Sequence, residues 1–284
     1  MTFQVPRLIT LDVGRPSAGR QTKREPLCID EMLSLTGELA DLGVARMRLL
    51  LHDVSAIDDL ERLTAYARRR RCAVTVVCRT HADTASIGDI ADARPDAMAI
   101  PLHSHNAEIH KLVDGGMDWS WSIHLASAVH DTGIPLEIET VITPGNALPL
   151  MPLSEVVESL HAASWHLDFS HARLSDAITT SAATALIHIA ARGHLHVSVH
   201  ELPFLRRIVG EHATLPGALM MTDAAEAMHV SSSGDVRVND VVVGNVRVQT
   251  FDTIQERSRS YVQRGIPDAG YRVLQPCRHS ELFH

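Results

Sequence analysis

The stretch WHLDFS, at residues 165–170, alternates strictly between apolar and polar side chains. Every second residue from Trp165 is apolar, and every second residue from His166 is polar. Successive side chains of an extended strand point to opposite faces of a sheet. The stretch therefore predicts a β-strand with one apolar face and one polar face.

Two other stretches show the same alternation: PLEIETVIT at residues 135–143 and HLHVSVH at residues 194–200. A parallel strand that is covered by helices on both sides is expected to be apolar on both faces. Three strands with a polar face instead favour a barrel whose outside packs against helices and whose lumen is wet, and such a lumen commonly holds a ligand. A sheet with one face open to solvent is the alternative.

Strand-like runs alternate with helical patterns over most of the chain. The remaining runs are LITLDV (8–13), RMRLLLH (46–52), CAVTVVC (72–78) and AMAIPLH (97–103). Several of the helical patterns end at a glycine, as helices with a left-handed last residue do. This alternation predicts an α/β fold with a parallel sheet and right-handed crossovers.

The pattern changes after about residue 215. Residues 228–249, MHVSSSGDVRVNDVVVGNVRVQ, predict short antiparallel strands joined by tight turns, and residues 251–265 predict one helix. The sequence therefore predicts a barrel over residues 1–215 and a small C-terminal subdomain over residues 216–284.

Composition excludes several classes of protein. The 284 residues carry a formal net charge of −8, which argues against a general nucleic-acid binder. The run Arg68–Arg71 follows a helical pattern and is interpreted as a solvated helix end rather than a docking patch. No run of about 18 apolar residues and no signal-peptide pattern occur, so no membrane span is expected. The four cysteines lack CxxC spacing, which favours reduced thiols in the cytoplasm.

A family resemblance runs through four stretches in chain order: LCIDEMLSLTGELADLGV (27–44), MAIPLHSHNAEIHKLVDGG (98–116), TGIPLEIETVITPGN (132–146) and GDVRVNDVVVGNVRVQTFDTI (234–254). They resemble, respectively, the first helix, the fourth strand with its loop, the fifth strand and the C-terminal extension of radical S-adenosylmethionine (SAM) proteins that have a SPASM-like extension. The resemblance implies a partial (β/α)6 TIM-like barrel followed by a small SPASM-like extension.

In that family, the loop after the first strand carries the motif CxxxCxxC, whose three thiolates hold a 4Fe–4S cluster. Aligning this chain with the family places Leu8, Asp12 and Arg15 at the three cysteine positions. Clusters of this kind are held by thiolates. The resemblance therefore implies a divergent radical SAM-like protein without the 4Fe–4S cluster. Met221 and Asn239 fall near cluster cysteines of the extension, so auxiliary clusters are not expected either.

The remaining cysteines do not offer a replacement site. Cys72 and Cys78 bracket one predicted strand and would lie about 20 Å apart. Cys28 and Cys277 are isolated in the sequence. All four are interpreted as structural thiols.

The family's SAM-binding motif GGE is also changed, because Leu51, His52 and Asp53 occupy its three positions. Asp53 keeps an acid that could bind the amino group of SAM. The loss of two glycines restricts how closely a ligand can approach the backbone. Reductive cleavage of SAM is not expected, and intact SAM is expected to bind more weakly than about 100 µM or not at all.

Polar residues on or after the strands are candidates for a ligand site, since active sites of such barrels lie at the C-terminal ends of the strands. The candidates are His52, Asp53, His103, Glu137, Glu139 and Asp168.

A divalent metal site is a further expectation. His194 and His196 share one strand face and lie about 6.6 Å apart along the strand, so both rings could converge on one ion. His166 or Asp168 on the neighbouring strand would complete an open three-ligand site. Histidines that merely hydrogen-bond to one another or to a ligand in a wet lumen are the alternative.

Two functions follow from these expectations. The first is a binding or accessory subunit that holds a small molecule or peptide in the lumen and works beside a catalytically complete partner enzyme in peptide or small-molecule maturation. The second is an enzyme with non-radical, metal-assisted chemistry in a lumen lined by His, Asp and Glu. Neither involves nucleic acid or a membrane.

Overall fold

A computed structural model of the chain describes residues 8–14, 25–52, 56–78, 84–114, 117–170, 172, 174–200, 219–222, 227–238 and 241–263. Its strands are β1 (Leu8–Val13), β2 (Arg46–Leu51), β3 (Ala73–Cys78), β4 (Ala97–Pro101), β5 (Leu136–Val141), β6 (Ser164–Asp168), β7 (His196–His200), β8 (Leu219–Thr222), β9 (Ala227–Val230), β10 (Asp235–Val238) and β11 (Val241–Asn245). Its helices are α1 (Ile29–Asp41), α2 (Ile57–Arg69), α3 (Thr84–Asp92), α4 (Ala107–Asp114), α5 (Trp119–Asp131), α6 (Leu150–Ser159), α7 (Asp176–Ala191) and α8 (Phe251–Gln263).

The strands form one eleven-stranded sheet in the order β11-β10-β9-β1-β2-β3-β4-β5-β6-β7-β8. Strands β1 to β8 run parallel to their neighbours, and β9 also pairs with β1 in parallel. Strands β10 and β11 are antiparallel to theirs. The α/β prediction with a partial TIM-like barrel is confirmed.

The sheet is curled. Strand β8 forms one edge of the sheet, next to β7. Strand β9 lies near the other edge and pairs with the side of β1 that does not contact β2. Thr222 ends β8 and Ala227 begins β9. A chain of five residues spans at most about 18 Å. The two regions of the sheet must therefore approach each other, and the curl encloses a lumen.

The two faces of the curled sheet differ as the alternation predicted. Side chains on the outer face, such as Leu49, Ile138 and Trp165, join a single buried core with the helices. The inner face of β5 and β6 carries Glu137 and His166 instead. On β2, β3 and β4 the inner face also holds a small apolar cluster of Leu50, Val77 and Ala99. The helices thus cover the outside, and the polar side chains line the inside.

The antiparallel strands predicted in residues 228–249 are present as β9, β10 and β11. The turn after β11 binds the segment before α1: the Arg247 guanidinium donates to both Glu31 carboxylate oxygens at 2.6 and 2.7 Å and to the Glu25 carbonyl at 2.8 Å. Leu27 N–H donates to the Ser232 carbonyl at 2.6 Å. These contacts anchor the C-terminal strands to the start of α1. The predicted boundary at residues 215–216 lies outside the described residues.

No helix in the described ranges has the length and apolar character that a membrane crossing requires.

Candidate functional site

The charged residues of the inner face fall into two groups. The Glu137 group consists of Arg46, Arg48, Glu137, Glu139 and His166. The Asp12 group consists of Asp12, His52 and His229.

The Glu137 group is an ion-pair network that crosses the lumen. Glu137 lies on β5 and is 4% exposed. One of its carboxylate oxygens is 3.2 Å from Arg46 Nη1, and the other is 3.2 Å from His166 Nε2. Arg48 Nη2 lies 3.9 Å from Glu137 and forms a closer ion pair with Glu139. Because β3 and β4 separate β2 from β5 in the sheet, the curl is what brings these side chains together.

This network keeps the Glu137 carboxylate ionised. Burial raises the pKa of Glu137, but the hydrogen bond from His166 and the charges of Arg48 and Arg46 outweigh it and lower the pKa to about 2. Both oxygens already face donors of the protein. Glu137 and Glu139, predicted as ligand-binding residues, therefore lie together on the inner face, where they pair with arginines of β2.

The Asp12 group forms where β1 meets β2 and β9. Asp12 Oδ1 accepts a hydrogen bond from His229 Nε2 at 2.8 Å, and His52 Nε2 lies 3.1 Å from the same oxygen. Ser232 N–H donates to Asp12 Oδ2 at 3.3 Å. The backbone explains this arrangement: His52 N–H donates to the Val13 carbonyl at 3.1 Å, and β9 pairs directly with β1.

The hydrogen bond to Asp12 fixes the orientation of the His229 ring. Burial raises the pKa of Asp12, but the contacts with His229 and His52 outweigh it, and the net pKa lies well below its usual range. An ionised carboxylate only accepts hydrogen bonds, so the His229 Nε2 that donates to Asp12 carries a proton. In the neutral ring, Nδ1 is then the acceptor. The His52 side chain is 19% exposed and that of His229 is 39% exposed, so solvent reaches this group.

Arg237 lies beside the Asp12 group. In the β9–β10 ladder it pairs with His229, and its strand neighbours Val236 and Val238 are in the core. Arg237 therefore shares the inner face with His229. Its Nε atom is buried and has no hydrogen-bond partner among the described residues.

His103, another predicted ligand residue, has a structural role. Its Nδ1 accepts from Val141 N–H at 3.1 Å, and its Nε2 is 3.1 Å from Asp114 Oδ1. The ring stacks on His110 with centroids 5.3 Å apart. Asn146 Nδ2 donates to the His103 carbonyl at 2.7 Å. Both ring nitrogens of His103 thus bind the protein itself, and the residue joins the ends of β4 and β5.

The three predicted metal ligands are not brought together. His194 precedes β7 and is exposed, and His196 is exposed at the first position of β7. His196 pairs in register with Ser164, while His166 contacts Glu137 and Ser164 Oγ. In the described ranges, no group of three His, Cys, Asp or Glu side chains is arranged to hold a metal ion.

Asp168 and Asp53 complete the predicted ligand residues. Asp168 ends β6, and its Oδ1 accepts from Ser170 N–H at 2.9 Å. Asp53 lies outside the described residues.

The positions proposed for cluster cysteines need correction. Leu8 and Asp12 lie within β1, so the loop after this strand begins beyond Val13 rather than at Leu8. The strand's hydrogen-bonded register with β2 and β9 fixes these bounds. Arg15 and Asn239 lie outside the described residues, and Met221 is in β8.

Three of the four cysteine thiols are described. Cys72 and Cys78 are buried, and burial raises their thiol pKa values to about 11 and about 12. Cys28 is exposed and precedes α1, where its side chain and that of Glu31 form a capping box. A metal ligand must be a thiolate, so the two buried thiols are poorly suited to that role. Cys277 lies outside the described residues.

His229, Arg237 and the pairing role of Asp12 were not predicted from the sequence. One signal was present: Asp12 interrupts the apolar run of β1 with the same alternation as the three strands that were recognised. His229 lies 217 residues from Asp12, and only the pairing of β9 with β1 brings them together.

Comparison with known proteins identifies the fold. No protein-family model and no curated protein matches the chain. Among solved structures, SuiB from Streptococcus suis bound to precursor peptide SuiA aligns with 93% of this chain and 67% of its own, with a TM-score of 0.64 and 10% identity. In two other SuiB structures the matched share of that protein is 62% and 64%.

Two further structures are similar. A histidine-tagged anSMEcpe with bound AdoMet aligns with 90% of this chain and 80% of its own, with a TM-score of 0.61 and 12% identity. Methylornithine synthase (PylB) aligns with 78% of this chain and 72% of its own, with a TM-score of 0.52 and 8% identity. SuiB, anSMEcpe and PylB are radical SAM enzymes. The chain therefore has a radical SAM-like fold, as the resemblance implied.

Proposed function

We propose that this chain is a ligand-binding protein that uses a radical SAM-like partial barrel without the 4Fe–4S cluster. Its lumen would hold a small molecule or a peptide beside a catalytically complete partner enzyme, in peptide or small-molecule maturation. The proposal rests on the cysteine content of the segment between β1 and α1. This segment contains a single cysteine, Cys28, which lies directly before the helix. One thiol cannot supply the three thiolates that such a cluster needs.

The neighbours support a role in ligand binding within biosynthesis. SuiB was solved with a precursor peptide, and anSMEcpe with AdoMet and with peptides. The curled sheet of this chain carries charged side chains on its inner face, as a ligand site would.

The test is anaerobic reconstitution of the full chain with iron and sulfide, followed by metal and sulfide analysis. We expect no stoichiometric iron or sulfide, and no change in the Cys28→Ser variant. Stoichiometric iron and sulfide in the wild-type chain that disappear in Cys28→Ser would overturn the proposal.

Calorimetry with SAM provides a second measurement. We expect a dissociation constant weaker than about 100 µM, which corresponds to a binding free energy of about 5.5 kcal/mol or less. A micromolar constant would indicate a protein that uses SAM without a cluster.

The Asp12 group favours a second candidate, an enzyme that transfers protons without radicals. A carboxylate that orients an imidazole through its Nε2–H is the arrangement of a general base. Hydrolysis of p-nitrophenyl acetate discriminates between the candidates. A rate above that of the His52→Gln/His229→Gln double variant by about 100-fold or more, the usual size of general-base catalysis, supports the enzyme. Equal rates support the binding protein.

A further inference from the structure

We infer that Arg237 and the Asp12 group form a binding site for an anionic group of the ligand, a carboxylate or a phosphate. The inference rests on the proposed function, because it names the chemical class that the lumen recognises.

The residues of the proposed site lie on neighbouring strands of the sheet. Asp12 on β1, His229 on β9 and Arg237 on β10 lie on the inner faces of adjacent strands, and His52 follows β2 on the other side of β1. Arg237 and His229 are opposite one another in register. Side chains at such positions start about 5 Å apart. The guanidinium stem and the imidazole ring therefore line one surface.

The hydrogen bonding of Arg237 is incomplete among the described residues. A buried guanidinium nitrogen is costly unless it is hydrogen-bonded or faces an anion. The Nε atom of Arg237 is buried without a partner among the described residues. Arginine offers a planar fork of donors that matches the two oxygens of a carboxylate or a phosphate. An external anion would supply the missing acceptor.

Asp12 does not serve as the acceptor for Arg237. Oδ1 of Asp12 already faces His229 and His52, and Oδ2 accepts from Ser232 N–H. No ion pair between Asp12 and Arg237 occurs among the described contacts, whereas His229 stands next to Arg237 in the ladder. The carboxylate thus orients the His229 imidazole, and the Nε atom of Arg237 keeps no acceptor among the described residues.

Solvent reaches the side chain that lies next to Arg237 in the ladder. The His229 side chain is 39% exposed, so the surface that it shares with Arg237 opens to the solvent. In the Glu137 group, by contrast, Arg48 is 9% exposed in its side chain and is paired with Glu139. Arg237 therefore lies beside a ring that solvent reaches, whereas Arg48 lies between two carboxylates.

The experiment uses the full chain with isotope-labelled histidine, titrated separately with acetate and with inorganic phosphate at constant ionic strength set by chloride. The observed signals are the ring Cε1–H resonances of His229 and His52, assigned with His229→Gln and His52→Gln. We expect saturable shifts with a millimolar or tighter dissociation constant. Arg237→Gln should weaken binding by about tenfold or more, as the loss of a charge-assisted hydrogen bond does.

The matched control is Arg192→Gln, which removes an arginine that pairs with Glu158 at 3.7 Å outside this group. It should leave the titration unchanged. Circular dichroism of both variants verifies that they fold. Shifts with acetate alone indicate a carboxylate ligand, and shifts with phosphate alone indicate a phosphorylated one.

The inference is overturned if neither anion gives saturable shifts, or if Arg237→Gln and Arg192→Gln titrate like the wild-type chain. These outcomes leave the proposed function standing, because that proposal is tested by iron and sulfide analysis. Conversely, stoichiometric iron and sulfide would overturn the proposed function and not the anion site.

Discussion

Glu137 and Asp12 are both buried carboxylates on the inner face, but different partners hold them. Glu137 faces Arg46 and Arg48 across the lumen, and the same Arg48 pairs with Glu139. Asp12 faces two imidazoles and a backbone N–H, while the nearest arginine in the ladder, Arg237, has no partner for its Nε atom among the described residues. The Nε atom of Arg48 also has no hydrogen-bond partner among the described residues, so the difference lies in the ion pairs. The Glu137 group pairs its carboxylates with arginines, and Asp12 is paired with histidines.

This difference separates structural charge from functional charge. A network of ion pairs that joins distant strands holds those strands together. A group that lacks such ion pairs and has partly exposed rings adds less to stability, which is what the proposed anion site requires. The following substitutions test that distinction, from the largest expected effect to the smallest.

Arg48→Met should destabilise the fold most. It removes the guanidinium that faces both Glu137 and Glu139 and leaves two carboxylates close together in a buried position. Breaking a buried ion pair from one side costs about 3–5 kcal/mol, and we expect about 4 kcal/mol in the free energy of unfolding measured by urea denaturation. A loss below about 1 kcal/mol would remove the argument that this network supports the fold.

Glu137→Gln should cost about 3 kcal/mol at pH 7. The pKa of Glu137 is lowered to about 2 in the folded chain, below the ordinary value of 4.5. The unfolded chain therefore binds the proton first as pH falls. The stabilisation by Glu137 is fully present above about pH 4.5 and is lost between about 4.5 and 2. Denaturation curves of both proteins should converge over that window.

Glu155→Gln is the matched control, because Glu155 is exposed on α6. Its effect should stay within about 0.5 kcal/mol at every pH. Equal pH dependence in the two variants would contradict the assignment to Glu137.

Asp12→Asn should cost less, about 1–2 kcal/mol at pH 7, because the amide oxygen still accepts a hydrogen bond from His229 and only the charge assistance is lost. The folded pKa of Asp12 lies below its usual range, so this contribution is present above about pH 4 and declines as the pH falls further. The measurement is again urea denaturation. A loss equal to that of Glu137→Gln would erase the difference between the two regions.

Much of the fold was predictable from the sequence because periodicity is a local signal. The runs at residues 8–13, 73–78 and 136–141 lie within predicted stretches, and the polar faces of β5, β6 and β7 were recognised from alternation alone. Helix α3 and strand β8 were not predicted. The sequence of α3, TASIGDIAD, has small and polar residues and an internal glycine, so it lacks a strong amphipathic pattern.

The candidate site was harder to predict because it depends on strands that are distant in sequence. Glu137 and Glu139 were found because they lie on one recognised strand. The pairing of Asp12 with His229 follows from the parallel ladder between β9 and β1, and that of Glu139 with Arg48 from the curl of the sheet. Neither is encoded in a short motif. His103 was correctly placed after a strand, but its two side-chain hydrogen bonds depend on α4 and β5.

Arg237→Met should have the smallest effect, a change within about 0.5 kcal/mol in the free energy of unfolding. The substitution removes a guanidinium that has no ion pair among the described residues, and methionine can cover the apolar surface that the arginine stem covered. Arg48→Met makes the same chemical change on the same face of the same sheet, so the two variants form a matched pair in urea denaturation. A loss of about 3 kcal/mol or more at Arg237, of the size that breaking a buried ion pair produces, would show that this arginine is held by the protein and is not available to a ligand. A loss near zero at Arg237 together with a large one at Arg48 would show that Arg48 holds β2 to β5 and that Arg237 makes no comparable ion pair within the protein.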